Sequence, residues 1–158
     1  MNGLQALTTL LQHAERERDA AVTHAQRCEH GVRAAQAQHH QLLDYRRDYQ
    51  QRWTQQFSQQ GTMEIINCYH GFVGRLAMAI DQQEQVAKRA ITQHESATVL
   101  AREKEIRVAS IGKLIERRAM KAQRSADQRE QKLTDEMASR LAWNRIHGGG
   151  DSSGSSPY

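Results

Sequence analysis

Ser58-Gln59-Gln60-Gly61-Thr62 is the only polar stretch with a glycine between two long periodic runs, and its reading decides the fold. Upstream of it, alternating steps of three and four from Leu4 visit Leu7, Leu11, Ala14, Arg18, Ala21, Ala25, Cys28, Val32, Ala35, His39, Leu42, Arg46, Tyr49, Trp53 and Gln56. Most of these are apolar, which is the a/d pattern of a heptad seam. Downstream the same steps visit Ile66, Tyr69, Val73, Leu76, Ile80, Gln83, Ala87, Ala90, His94, Ala97, Ala101, Lys104, Val108, Ile111 and Ile115. Gly61 suits a helix C-terminus, and Thr62 followed by Glu64 suits a helix start. Two heptad runs joined by a short loop predict an all-α antiparallel two-helix coiled-coil hairpin with a longer second helix. Its expected parts are helix 1 over about 3–58, a turn over about 59–62 and helix 2 over about 63–145, with 147–158 a flexible Gly/Ser tail.

Composition points the same way. The chain has 158 residues, 38% of them hydrophobic and 5% aromatic, and its single proline is Pro157. A globular domain usually carries roughly 45–50% apolar residues, so a thick multilayer core is out of reach. That argues against an α/β enzyme, a β-sandwich or a disulfide scaffold. Without proline until the C-terminus, nothing in the chain forces φ or removes a helical donor. Ala, Leu, Gln, Glu and Arg dominate, and all are good helix formers.

Folding about residue 60 or 61 places residue i roughly opposite 120−i, so Tyr49 falls level with Phe72, Tyr45 with Leu76 and Leu42 with Ala79. The first helix is then used up opposite residue 118 or so, while the second continues to about Trp143. Roughly 25–30 residues of helix, on the order of 40 Å, are expected to run on unpaired. The phase slips after Ile115, a stutter, and continues weakly through Ala119, Ala122, Ala126, Leu133 and Met137. An isolated helix is marginal in water, so this segment is expected to be ordered by a partner.

The net charge of +4 is local. Residues 102–146 hold twelve basic and seven acidic side chains, while residues 1–60 hold seven and six. The charges are interspersed, as in Arg102-Glu103-Lys104-Glu105, which reads as a solvated helix face rather than a nucleic-acid stripe. Cys28 and Cys68 have no CxxC or metal-type spacing and read as free thiols in a reducing cytoplasm. No signal peptide is visible at Met1-Asn2-Gly3-Leu4-Gln5, and the longest apolar run, Leu76 to Ile80, is too short to span a bilayer. Any membrane role is expected to be peripheral.

Catalytic and cofactor signatures fail. Gly71-Phe72-Val73-Gly74 lies inside a helical pattern and lacks a Walker lysine, so it is no phosphate loop. His39-His40 and His94-Glu95 have no histidine four residues away and there is no HExxH, so no metal centre is expected. No serine or cysteine stands in a nucleophile elbow. The expectation is a non-enzyme without cofactor.

The informative feature is an aromatic cluster near the hairpin tip. Leu42, Tyr45 and Tyr49 share one face of helix 1, while Phe72, Leu76 and Ala79 share one face of helix 2. Gln38 and Gln83 extend the stripe by one turn. Tyr45 and Phe72 lie one residue off the heptad positions, so part of this surface is expected to face solvent. An exposed aliphatic–aromatic stripe usually marks a protein-binding site.

These features together resemble the FliJ family of bacterial flagellar export proteins. The resemblance spans residues 4 to about 140 and rests on four stretches: Leu7 to Ala14 with Glu15, the tip motif Gln41 to Tyr49, Phe72 to Gln83, and Asp127 to Glu136. It implies a cytoplasmic component of the flagellar type III export apparatus, working at the cytoplasmic face of the inner membrane. Such a component inserts into the hexameric export ATPase, promotes its assembly, contacts the cytoplasmic region of the export gate protein FlhA and associates with substrate chaperones. By the resemblance, Gln38, Leu42, Tyr45, Tyr49, Phe72, Leu76, Ala79 and Gln83 form the gate-binding surface. Leu4 and Leu7 with the basic residues Arg117, Arg118, Arg124 and Arg129 are the candidates for the ATPase ring. The competing readings are the stalk of a related secretion system, and a basic coiled-coil scaffold that binds nucleic acid or anionic membrane through residues 102–146.

Overall fold

The computed structural model describes residues 2–57 and 61–149, and over these it is a hairpin of two helices. Helix α1 runs Asn2–Phe57 and helix α2 runs Met63–His147. Gly61 and Thr62 are non-helical, whereas Gln59 and Gln60 of the expected turn, and the expected tail from Gly150 onward, lie outside the described residues. Thr62 opens α2: its carbonyl accepts the Ile66 amide at 3.2 Å, the first bond of the helical ladder. Glu64 in the first turn and Arg145 and His147 in the last complement the helix dipole at both ends. Gly148 closes α2 by donating its amide to the Asn144 carbonyl at 2.7 Å. A Cβ there would lie 2.6 Å from that same oxygen, so the close approach requires glycine.

The chain divides into two compact units, residues 9–109 and residues 1–8 with 110–158. In the first, the seam buries Ala14, Ala21 and Ala35 of α1 against α2, which contributes Leu76, Ile80, Ala87, Ala97 and Ala101. The α1 residues recur at multiples of seven, as a supercoiled seam demands. Between them Leu11, Ala25, Cys28, Val32, Leu42, Tyr49 and Trp53 are half-buried. Arg18 and Arg46 also stand at seam positions and are half-buried, their long stems covering the groove while the charge stays wet. Alanine dominates because it lets the two backbones approach closely, at the cost of little apolar area per residue.

Polar bonds fix the register. Gln83 Nε2 donates to the Ala35 carbonyl at 3.0 Å, and Lys104 Nζ donates to Glu17 Oε2 at 3.1 Å. Both pairs match a fold about residue 60. Arg107 adds a looser ion pair to the same carboxylate at 3.8 Å.

In the second unit Leu7 and Ile111 are buried, and an added Cβ on Gly3 would come 3.3 Å from the guanidinium of Arg118. From Glu116 to Gly149 every described residue is exposed. The apolar side chains Met120, Leu133, Met137, Leu141, Trp143 and Ile146 are among them.

Candidate functional site

The stripe lies wholly within residues 9–109, and its rings form one connected ladder. Tyr49 sits at the centre: its ring lies 4.4 Å from Phe72, 5.8 Å from Tyr69 and 6.2 Å from Tyr45. Tyr45 meets Phe72 edge-on at 6.2 Å. Toward the tip, Trp53 stacks on Tyr69 at 4.4 Å with only 7° between planes, and Phe57 follows at 5.7 Å. Offset and edge-to-face ring pairs are worth about 0.5–1.5 kcal/mol each beyond the area they bury. The ladder therefore clamps the end of the hairpin where the alanine seam gives out.

The members of the stripe divide by exposure. Tyr45 is 51% exposed, and Gln38 is also exposed. Leu42, Tyr49, Phe72 and Ala79 are half-buried, so each offers an edge to solvent while its body packs. Leu76, only 7% exposed, belongs to the core. Gln83 is committed to Ala35 across the seam. The surface available to a partner is thus centred on Tyr45, with the edges of Tyr49 and Phe72 beside it.

A notch of about 330 Å³ opens next to this surface along α1, lined by Tyr45, Asp48, Tyr49, Arg52, Trp53 and Gln56. Asp48, Arg52 and Gln56 were not among the site residues read from sequence, although Asp48 falls in the tip motif and Gln56 at a seam position. They recur at four-residue intervals on the face that carries Tyr45 and Tyr49, and that spacing was the available signal.

The second set, Leu4, Leu7, Arg117, Arg118, Arg124 and Arg129, falls in the unit of residues 1–8 and 110–158. Leu4 is exposed, Leu7 is buried, and the four arginines are all exposed. Arg118 is brought to Gly3; Arg124 and Arg129 lie on the fully exposed part of α2.

At Glu17 the hydrogen bond from Lys104, reinforced by its charge, holds the carboxyl below the usual glutamate range. Both side chains are about two-thirds shielded from solvent at the seam. Among the described residues no group of three His, Cys, Asp or Glu side chains is placed to hold a metal ion, and no helix is long and apolar enough to cross a membrane.

These features define an all-α coiled-coil hairpin that presents an aromatic patch on one unit and an exposed, basic, partly apolar helix in the other. Over residues 3–147 the chain matches the family described as Flagellar FliJ protein, and it belongs to that family. It is accordingly a non-enzymatic component of the flagellar type III export apparatus. No curated protein and no solved structure matches the chain.

Proposed function

We propose that the protein is a cytoplasmic stalk and adaptor of flagellar export, peripheral to the inner membrane through its partners. In this reading it inserts into the export ATPase ring, promotes assembly of the hexamer, and links the ring to the cytoplasmic region of the gate protein FlhA and to substrate chaperones. The observation that carries the proposal is the exposure of Tyr45 beside the half-buried rings of Tyr49 and Phe72. A ring held rigid on one side by Tyr49 and Phe72 and bare on the other loses little entropy on binding, which is the property of an interface anchor.

The second support is the exposed run of α2. It carries Met120, Leu133, Met137 and Leu141 bare, together with Arg117, Arg118, Arg124 and Arg129. An apolar stripe on a helix that makes no tertiary burial of its own suits a sleeve-like partner such as the bore of a ring. No covalent chemistry is involved. The protein biases equilibria, because each partner that binds it favours the assembled state by its own binding free energy.

The test is capture of the gate's cytoplasmic region by the intact chain and by the Tyr45→Ala/Tyr49→Ala/Phe72→Ala variant. Loss of gate capture with ATPase stimulation and helicity retained supports the proposal. Undiminished gate capture by a folded variant removes it.

A further inference from the structure

The notch beside Tyr45 is the cavity that the stripe leaves unexplained. Its lining residues, Tyr45, Asp48, Tyr49, Arg52, Trp53 and Gln56, all come from α1. They form two parallel rows at four-residue spacing: the rings of Tyr45, Tyr49 and Trp53, and beside them Asp48, Arg52 and Gln56. A notch walled by one helix has no opposite side, so a small molecule lying in it stays largely in water. It closes only when a second protein surface lays a side chain into it.

The ring row is fixed from behind. Tyr49 packs on Phe72 at 4.4 Å, and Trp53 stacks on Tyr69 at 4.4 Å with 7° between planes. The polar row differs, since Asp48, Arg52 and Gln56 are all exposed. An acid four residues before a base commonly closes an ion pair on a helix. Glu29 and Arg33 do so at 2.9 Å, and Glu84 and Lys88 at 3.4 Å. Asp44, one turn back, has His40 at 3.6 Å and Arg47 at 4.0 Å. Asp48 and Arg52 have the same order and spacing, yet among the described residues no ion pair engages either of them. Both charges stand open at the rim of a ring-lined notch.

We propose that this notch selects the gate segment: an apolar side chain of the partner lies against Tyr45, Tyr49 and Trp53, and a carboxylate next to it pairs with Arg52. The guanidinium has the reach and the planar fork to take both oxygens of a carboxylate. Residues 41–57 carry three basic and two acidic side chains, so the field around the notch favours an acid over a base. Asp48, one turn nearer the N-terminus, repels the incoming carboxylate and steers it to the Gln56 side. The order Asp48, Arg52, Gln56 therefore sets the direction of the bound segment as well as its charge. A segment with a base beside its apolar anchor meets Arg52 and is rejected. The inference rests on the gate reading and names its chemistry: the rings supply affinity, and Arg52 supplies selection.

The experiment titrates the full chain with the gate's cytoplasmic region at low and at physiological salt. Arg52→Gln should weaken binding on the order of ten-fold and flatten its salt dependence. Arg52→Lys should fall between, because it keeps the charge and loses the fork. Asp48→Asn should strengthen binding, an opposite sign one turn away that a merely structural role would not produce. Helicity and thermal midpoint should match the wild type in all three, as both residues are exposed and outside any ion pair. Unchanged affinity in Arg52→Gln, or weaker binding in Asp48→Asn, overturns the inference alone when Tyr45→Ala still loses capture. A wild-type chain that does not bind the gate region overturns this inference and the gate reading together.

Discussion

Tyr45 and Leu76 belong to one stripe yet carry opposite duties, which mutation should separate. Leu76 is buried in the seam, so Leu76→Ala leaves a cavity between helices that cannot collapse without losing register. A loss of about 2–5 kcal/mol is expected in denaturant unfolding. Tyr45 is half in water, and Tyr45→Ala should cost far less stability while gate capture falls sharply. A second residue-scale effect is electrostatic. The folded carboxyl of Glu17 is lowered by Lys104, so the pair's contribution is present above the unfolded glutamate value and is lost as pH falls through the lower folded one. The thermal midpoint of the wild type should therefore exceed that of Glu17→Gln at neutral pH. The two should converge as the pH drops below the ordinary glutamate range.

At the scale of the helices, the fold was legible because a seam must recur every 3.5 residues to stay facing its partner. Leu7, Ala14, Ala21 and Ala35 stand at such positions and are buried; Tyr45, one residue off, is exposed. The spacing also gave the level of Tyr49 with Phe72. What it did not give is what a long or polar side chain does once there. Gln83 reads as the last step of a surface stripe, but its amide reaches the Ala35 carbonyl, because a flexible side chain can cross a seam of small residues. The alanine seam makes its own prediction. Ala14 is 1% exposed, so Ala14→Leu has no room and should destabilise by about 1–3 kcal/mol, read in thermal or urea unfolding with helicity at low denaturant as the control.

For the whole molecule, the question is how one chain carries two chemically different candidate surfaces. The aromatic patch belongs to residues 9–109, which have their own buried seam, while the basic candidates belong to the other unit. From Glu116 to Gly149 every described residue is exposed, so apart from the approach of Arg118 to Gly3 that length of α2 adds no buried side chain. A helix without packing keeps only its intrinsic propensity and local pairs such as Gln123 to Asp127 at 3.1 Å. Amides there should exchange faster than those of residues 76–101, and should slow when the ATPase is added. Deleting residues 117–146 extends the argument. The seam of residues 9–109 loses none of its buried side chains, so the truncated chain should unfold with nearly unchanged stability and still capture the gate. Capture of the ATPase should be lost, because the exposed apolar and arginine side chains have gone with the deleted helix. A truncated chain that still binds the ATPase as well as the full one would place that contact on Leu4 and the paired turns instead.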